Sequence, residues 1–214
     1  MKKIAVMIYP HFSLQEITTL TSCLTIWFGQ SIDYLGSSIQ PYESEDGFRV
    51  VPAMKVSDAN PSSYDCIILP GILNPLPALY DDDLIDFLRR AEGPNTLFAA
   101  ISSAPLLLAK AGLLSDVKYT AGFFMQMADH FPYINCENFV HQPLIDDKNV
   151  ITAIGFAFRE FAQKVLERLD FEIGESFMTP VTREYTEDEL TFYWEDSDYQ
   201  EFLTELKDYT DKGL

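Results

Sequence analysis

Short apolar runs alternate with stretches of helical period along the first 170 or so positions of this chain. Residues 3–9, KIAVMIY, form an unbroken β-rich run, the pattern of a central parallel strand covered on both faces. Residues 13–28 follow with helical spacing, and Ser13 stands where an N-cap is expected. The next strand falls at 31–38. Residues 48–59 read as one or two short edge strands, because Pro52 bars a central position. A buried strand at 64–71 ends in Pro70-Gly71. The helix at 81–92 opens on three aspartates and closes on two arginines, as its macrodipole favours. The run at 96–101 feeds a helix that stops at Gly112, and a last strand and helix occupy 149–155 and 156–170. Repeated strand–helix units of this kind predict an α/β fold, a doubly wound parallel sheet with right-handed crossovers.

The pattern changes near residue 170. From Asp170 onward the chain holds 14 acidic residues against three basic ones, yet it also carries aromatics from Phe171 and Phe177 to Tyr209. Free tails are poor in aromatics. Residues 171–214 are therefore expected to be an acidic C-terminal extension, with a helix at 197–212 that docks on the 1–170 domain or on a second subunit. The formal net charge of −18 argues against nucleic acid and anionic membranes as partners. No run approaches the length of a membrane span, and the N-terminus reads as a first strand and not as a signal peptide. Cys23, Cys66 and Cys136 are odd in number and widely spaced, which fits a reduced, cytoplasmic setting. No pair of histidines or cysteines stands at ligand spacing, so neither a metal nor another cofactor is expected.

One stretch carries candidate chemistry. In AAISSAPLLLAKAGLL, residues 99–114, small residues flank Ser102, with Ala100 before it and Ala104 after it. That is the spacing of a tight strand-to-helix elbow whose central side chain projects from the sheet edge. Ligands of open parallel sheets bind beyond the carboxyl ends of the strands. Three such ends could meet here: the loop after the first strand with His11 and Glu16, the Gly71 turn, and Ser102.

The same segments resemble the DJ-1/PfpI (ThiJ/PfpI) family, which is similar in fold to class I glutamine amidotransferase domains. The resemblance rests on FSLQEIT, CIILPG, AAISSAPLLLAKAGLL and NVITAIGFAFREFA, and covers about residues 1–170. It implies a flavodoxin-like sandwich, a homodimer, an elbow cysteine touched by an acid, and backbone donors around the elbow. Carried over by position, the acid is Glu16, the elbow residue is Ser102, and the donors are Gly71, Ile72 and Ser103. Two departures bear on chemistry. Serine replaces the elbow cysteine, and the histidine of a T-x-H context is missing, with Thr120-Ala121-Gly122 in its place.

A serine hydroxyl needs a general base where a cysteine ionises by itself. Glu16, with an ordinary carboxylate pKa, is a weak base toward an alcohol, and His11 is the one histidine placed at the right edge of the sheet. Three readings of Ser102 stay open: a nucleophile served by His11 or Glu16, a hydrogen-bonding ligand contact, or an unreactive remnant. The corresponding functions are a weakly active hydrolase or amidase acting on a small molecule, and a non-enzymatic protein that uses the crevice for a ligand or works through a dimer surface. Supply of ammonia in the manner of an amidotransferase would need a Cys-His-Glu set, of which two members are absent.

Overall fold

The computed structural model describes residues 1–93, 95–173 and 184–211. Its elements are β1 (Ile4–Met7), α1 (Gln15–Ser22), β2 (Ile32–Gly36), β3 (Tyr42–Glu43), β4 (Arg49–Val50), β5 (Met54–Lys55) and β6 (Cys66–Leu69). There follow α2 (Leu76–Leu79), α3 (Asp82–Arg90), β7 (Leu97–Ile101), α4 (Pro105–Lys110), β8 (Leu144–Asp147), β9 (Val150–Ala153), α5 (Phe158–Arg168) and α6 (Asp196–Thr210). Seven strands form one sheet in the order β5-β2-β1-β6-β7-β9-β8, and β3 pairs with β4 apart from it. Every pairing in the large sheet is parallel except the β8–β9 hairpin at its edge.

β1, β6, β7 and β9 are buried along their whole length, which is why the first three read as unbroken apolar runs and β9 is broken only by Thr152, whose hydroxyl accepts the Thr120 N–H. Helices α1 and α5 pack together, as do α2, α3 and α4. The chain leaves β1 toward β2 on one side and returns to β6 on the other. The strand order therefore reverses between β1 and β6, and the crevice of a doubly wound sheet opens beyond their carboxyl ends.

Local rules account for most element ends. The Asp81 side chain accepts the Leu84 N–H at 3.1 Å and caps α3, whose last turn carries Arg89 and Arg90. The expected cap of α1 fails. The helix begins at Gln15, Ser13 Oγ is buried without a partner, and Asp46 from the β3–β4 loop accepts the Leu14 N–H at 2.7 Å. A tertiary carboxylate has taken the place of the local hydroxyl. The far end of this segment widens into a π-helical turn over Cys23–Trp27.

The C-terminal segment docks on its own chain. Met125 N–H donates to Phe192 O at 2.8 Å, Trp194 stacks on Phe124, and the Tyr199 hydroxyl meets His130 Nε2 at 2.6 Å. Phe202 and Leu206 of α6 turn into the core. This helix runs over Asp196–Thr210, near the expected span, whereas Phe177 lies outside the described residues.

Candidate functional site

Ser102 follows β7 directly and has φ 60, the left-handed region that costs a non-glycine residue roughly 1–3 kcal/mol. Two backbone bonds hold it there. Its N–H donates to Ala153 O at 2.8 Å, and its carbonyl accepts the Gly122 N–H at 2.7 Å. The elbow is thus an extension of the β7–β9 ladder, with the 120–122 segment laid across it. The side chain is half-buried.

Glu16, on the first turn of α1, turns back toward this elbow. Its Oε2 accepts the Gly71 N–H at 3.0 Å. The pKa of Glu16 is pushed up to about 7, first by burial and then by the nearby Glu45 charge, with a smaller push from Asp46. The Ser102 hydroxyl faces the same carboxyl and, with the Gly71 N–H, favours its charged form.

Two glycines make room for that carboxyl. A Cβ on Gly71 would lie 1.9 Å from Glu16 Oε2 and 2.6 Å from Ser102 Cβ. One on Gly155, just past β9, would lie 2.3 Å from Glu16 Oε1 and 3.4 Å from Ser102 Oγ. Sequence reasoning placed Gly71 here and missed Gly155. The signal was the Ala-Ile-Gly that ends the last strand, at the same sheet edge as Pro70-Gly71. Behind them the fully buried Tyr9 hydroxyl donates to Pro70 O, which fixes the peptide that carries the Gly71 N–H.

The backbone donors expected to be free are engaged. Gly71 N–H serves Glu16, and Ile72 N–H donates to Ser103 Oγ at 3.1 Å while the same hydroxyl donates to Ile72 O at 2.6 Å. Among the described residues, only the Ser103 N–H of the proposed set makes no hydrogen bond. His11 shares the sheet edge but not the site. It is exposed, has φ 61, and is tied by its backbone to Glu43 and Leu73. Its ring makes no hydrogen bond among the described residues. The left-handed turn points the ring outward, which position in the sequence could not reveal. No group of three or more metal-ligating side chains occurs among the described residues.

Beside the elbow lies a cavity of about 470 Å³, between the 72–75 turn, Gly122, Phe123 and the face of α6. Ser103 and Gly122 line it, whereas Ser102 and Glu16 do not. Gly122 stands where the sequence lacks a histidine. A Cβ there would sit at 3.5 Å from Ser102 Cα and Oγ, which is ordinary contact.

The fold is a doubly wound α/β sheet, with the Glu16 carboxyl and the left-handed turn at Ser102 meeting beyond the carboxyl ends of its strands. Residues 2–168 match the family model described as the DJ-1/PfpI family, and the chain belongs to that family. It is 37% identical over 93 residues to a Bacillus subtilis protein named as the uncharacterized protease YdeA, covering 44% of this chain and 47% of that one. It is 30% identical over 125 residues to protein dj-1beta of Drosophila melanogaster, covering 56% of this chain and 64% of that one. The chain thus spans less than two thirds of the length of either. Among solved structures, the DJ-1 superfamily protein Atu0886 from Agrobacterium tumefaciens superposes with a TM-score of 0.73 at 26% identity, covering 82% of this chain and 94% of that one. No described helix is long and apolar enough to cross a membrane.

Proposed function

We propose that this chain is a small-molecule-binding member of its family in which the Glu16–Ser102 pair supports at most weak hydrolysis. The carrying observation is the state of the backbone donors. Acyl transfer through Ser102 needs N–H groups aimed at a developing oxyanion, and loss of one such donor costs about 10²–10³ in rate. Of the donors expected around the elbow, Gly71 and Ile72 direct their N–H to a partner within the chain, which leaves the Ser103 N–H as the one unengaged member of the set among the described residues. The cavity, by contrast, is built beside the elbow and has the size of a ligand site. A fragment screen followed by amide shifts in NMR tests this reading. Hits that move Gly122, Phe123 and Trp194 support it, and a blank screen overturns it.

One observation favours the enzymatic alternative. With a pKa of about 7, Glu16 is a far better base at neutral pH than a solvated carboxylate. A protease name on the YdeA relative points the same way. On that reading Glu16 takes the Ser102 proton as the hydroxyl attacks an ester or amide carbonyl. Turnover of a p-nitrophenyl ester that is lost in both Ser102→Ala and Glu16→Gln would establish it. Family membership also supports a homodimer, which sedimentation equilibrium would test.

A further inference from the structure

Most of the cavity's outer wall comes from the C-terminal segment, beyond the residues that match the family. Two features meet in it. Trp194 packs between aromatic rings, at 4.1 Å from Phe124 and 4.5 Å from Phe202, both nearly parallel to it, which gives the cavity an apolar side. Asp198, Glu201 and Glu205 line it as well, at the i, i+3, i+7 spacing that puts three side chains on one face of α6. Glu205 is oriented by Asn74 Nδ2, which donates to its Oε1 at 2.6 Å. Glu201 has no hydrogen-bond or ion-pair partner among the described residues. None of the described lining residues is a lysine, arginine or histidine, and the nearby His130 is engaged with Tyr199.

We infer that the cavity takes a small organic amine, protonated at neutral pH, with an aromatic or branched apolar body. The inference rests on the small-molecule reading above and names the chemistry of its ligand. The body lies along the Phe124–Trp194–Phe202 stack and removes apolar surface from water, which supplies most of the affinity. The ammonium faces the α6 carboxylates, and its N–H groups find acceptors there. An anionic ligand would meet three like charges in one wall. A neutral one would leave them with water alone. Because Asp198 and Glu201 are exposed, the charge contribution is modest and screened by salt.

Titration of the full chain with phenethylamine, 2-phenylethanol and 3-phenylpropionate, followed by NMR shifts of Gly122, Phe123 and the Trp194 indole N–H, tests the proposal. The amine should bind about tenfold tighter than the alcohol at low ionic strength. That advantage should shrink at high salt and fall further in the surface variant Asp198→Asn/Glu201→Gln, which keeps only Glu205 of the three carboxylates, while the alcohol binds variant and parent alike. Equal affinity for amine and alcohol, tightest binding of the carboxylate, or an amine preference undiminished in the double variant overturns the amine assignment. In each of those cases the small-molecule reading stands. If none of the three probes moves these residues, the amine assignment fails. A blank fragment screen as well would remove the underlying reading with it.

Discussion

The Ser103 hydroxyl holds both backbone groups of Ile72, accepting its N–H at 3.1 Å and donating to its carbonyl at 2.6 Å. A side chain one place past the elbow thus stands in for a strand partner and pins the Pro70–Ile72 turn to β7. Ser103→Ala leaves a buried donor and a buried acceptor without partners. Stability should fall by about 1–3 kcal/mol, read as a lower urea midpoint at unchanged slope. An unmoved midpoint would mean that the turn holds itself.

Glu16 sets a pH dependence of definite sign. Its folded-state pKa of about 7 lies above the ordinary 4.5, so the folded chain keeps a proton that the unfolded chain has released. The associated stability is complete below about pH 4.5, declines as pH rises, and is gone once pH passes about 7. Relative to Glu16→Gln, the parent should lose up to about 3 kcal/mol across that window. Parallel pH–stability curves for the two proteins would contradict the placement of this carboxyl.

The three glycines around the elbow should respond differently to alanine. Gly71→Ala confronts both Glu16 Oε2 and the Cβ of Ser102, which cannot swing away, and should be the most destabilising. Gly155→Ala meets chiefly the end of the Glu16 side chain and should displace it, moving the pH dependence described above more than the midpoint. Gly122→Ala makes only ordinary contacts and should stay within about 0.5 kcal/mol of the parent. Thermal and pH titrations of the three variants check that ordering.

Ser102→Cys should restore a reactive group. The introduced thiol would be half-buried beside the free Ser103 N–H and the Glu16 carboxyl. Cys23 and Cys66 are buried, and burial pushes both thiols up. Iodoacetamide at neutral pH should label residue 102 well before either of them, as read by peptide mass spectrometry. Adding Gly122→His, whose Cβ would make only ordinary contacts at 3.5 Å, should speed the labelling further by favouring the thiolate. Labelling no faster than that of Cys66 would show a site that no longer supports anion chemistry.

What the sequence disclosed follows from how each feature is encoded. The central strands were legible because burial on both faces leaves one signature, the apolar run, unbroken in β1, β6 and β7 and interrupted only by Thr152 in β9. Strand ends then brought Glu16, Gly71 and Ser102 to one edge. Side-chain direction was not legible. His11 lies at the expected edge and faces solvent, and the α1 cap passes from Ser13 to Asp46, some 30 positions away in the chain. The raised pKa of Glu16 was equally hidden, since it depends on burial and on Glu45, a loop residue with no local mark. The aromatic content of the tail announced that it packs. Its role as the cavity's outer wall depends on tertiary contacts with Phe124 and Asn74.

The matched family region ends at residue 168, and the acidic, aromatic wall of the cavity begins at Trp194. On the amine reading, proton chemistry and ligand choice would sit on separate lengths of the chain, which meet where α6 lies against the 72–75 turn and where Trp194 stacks on Phe124. A substitution in α6 would then rewrite what enters without disturbing Glu16, Gly71 or Ser102, and exchanging that helix would graft a new preference onto an unchanged elbow. On that reading, recognition is a replaceable part of this molecule.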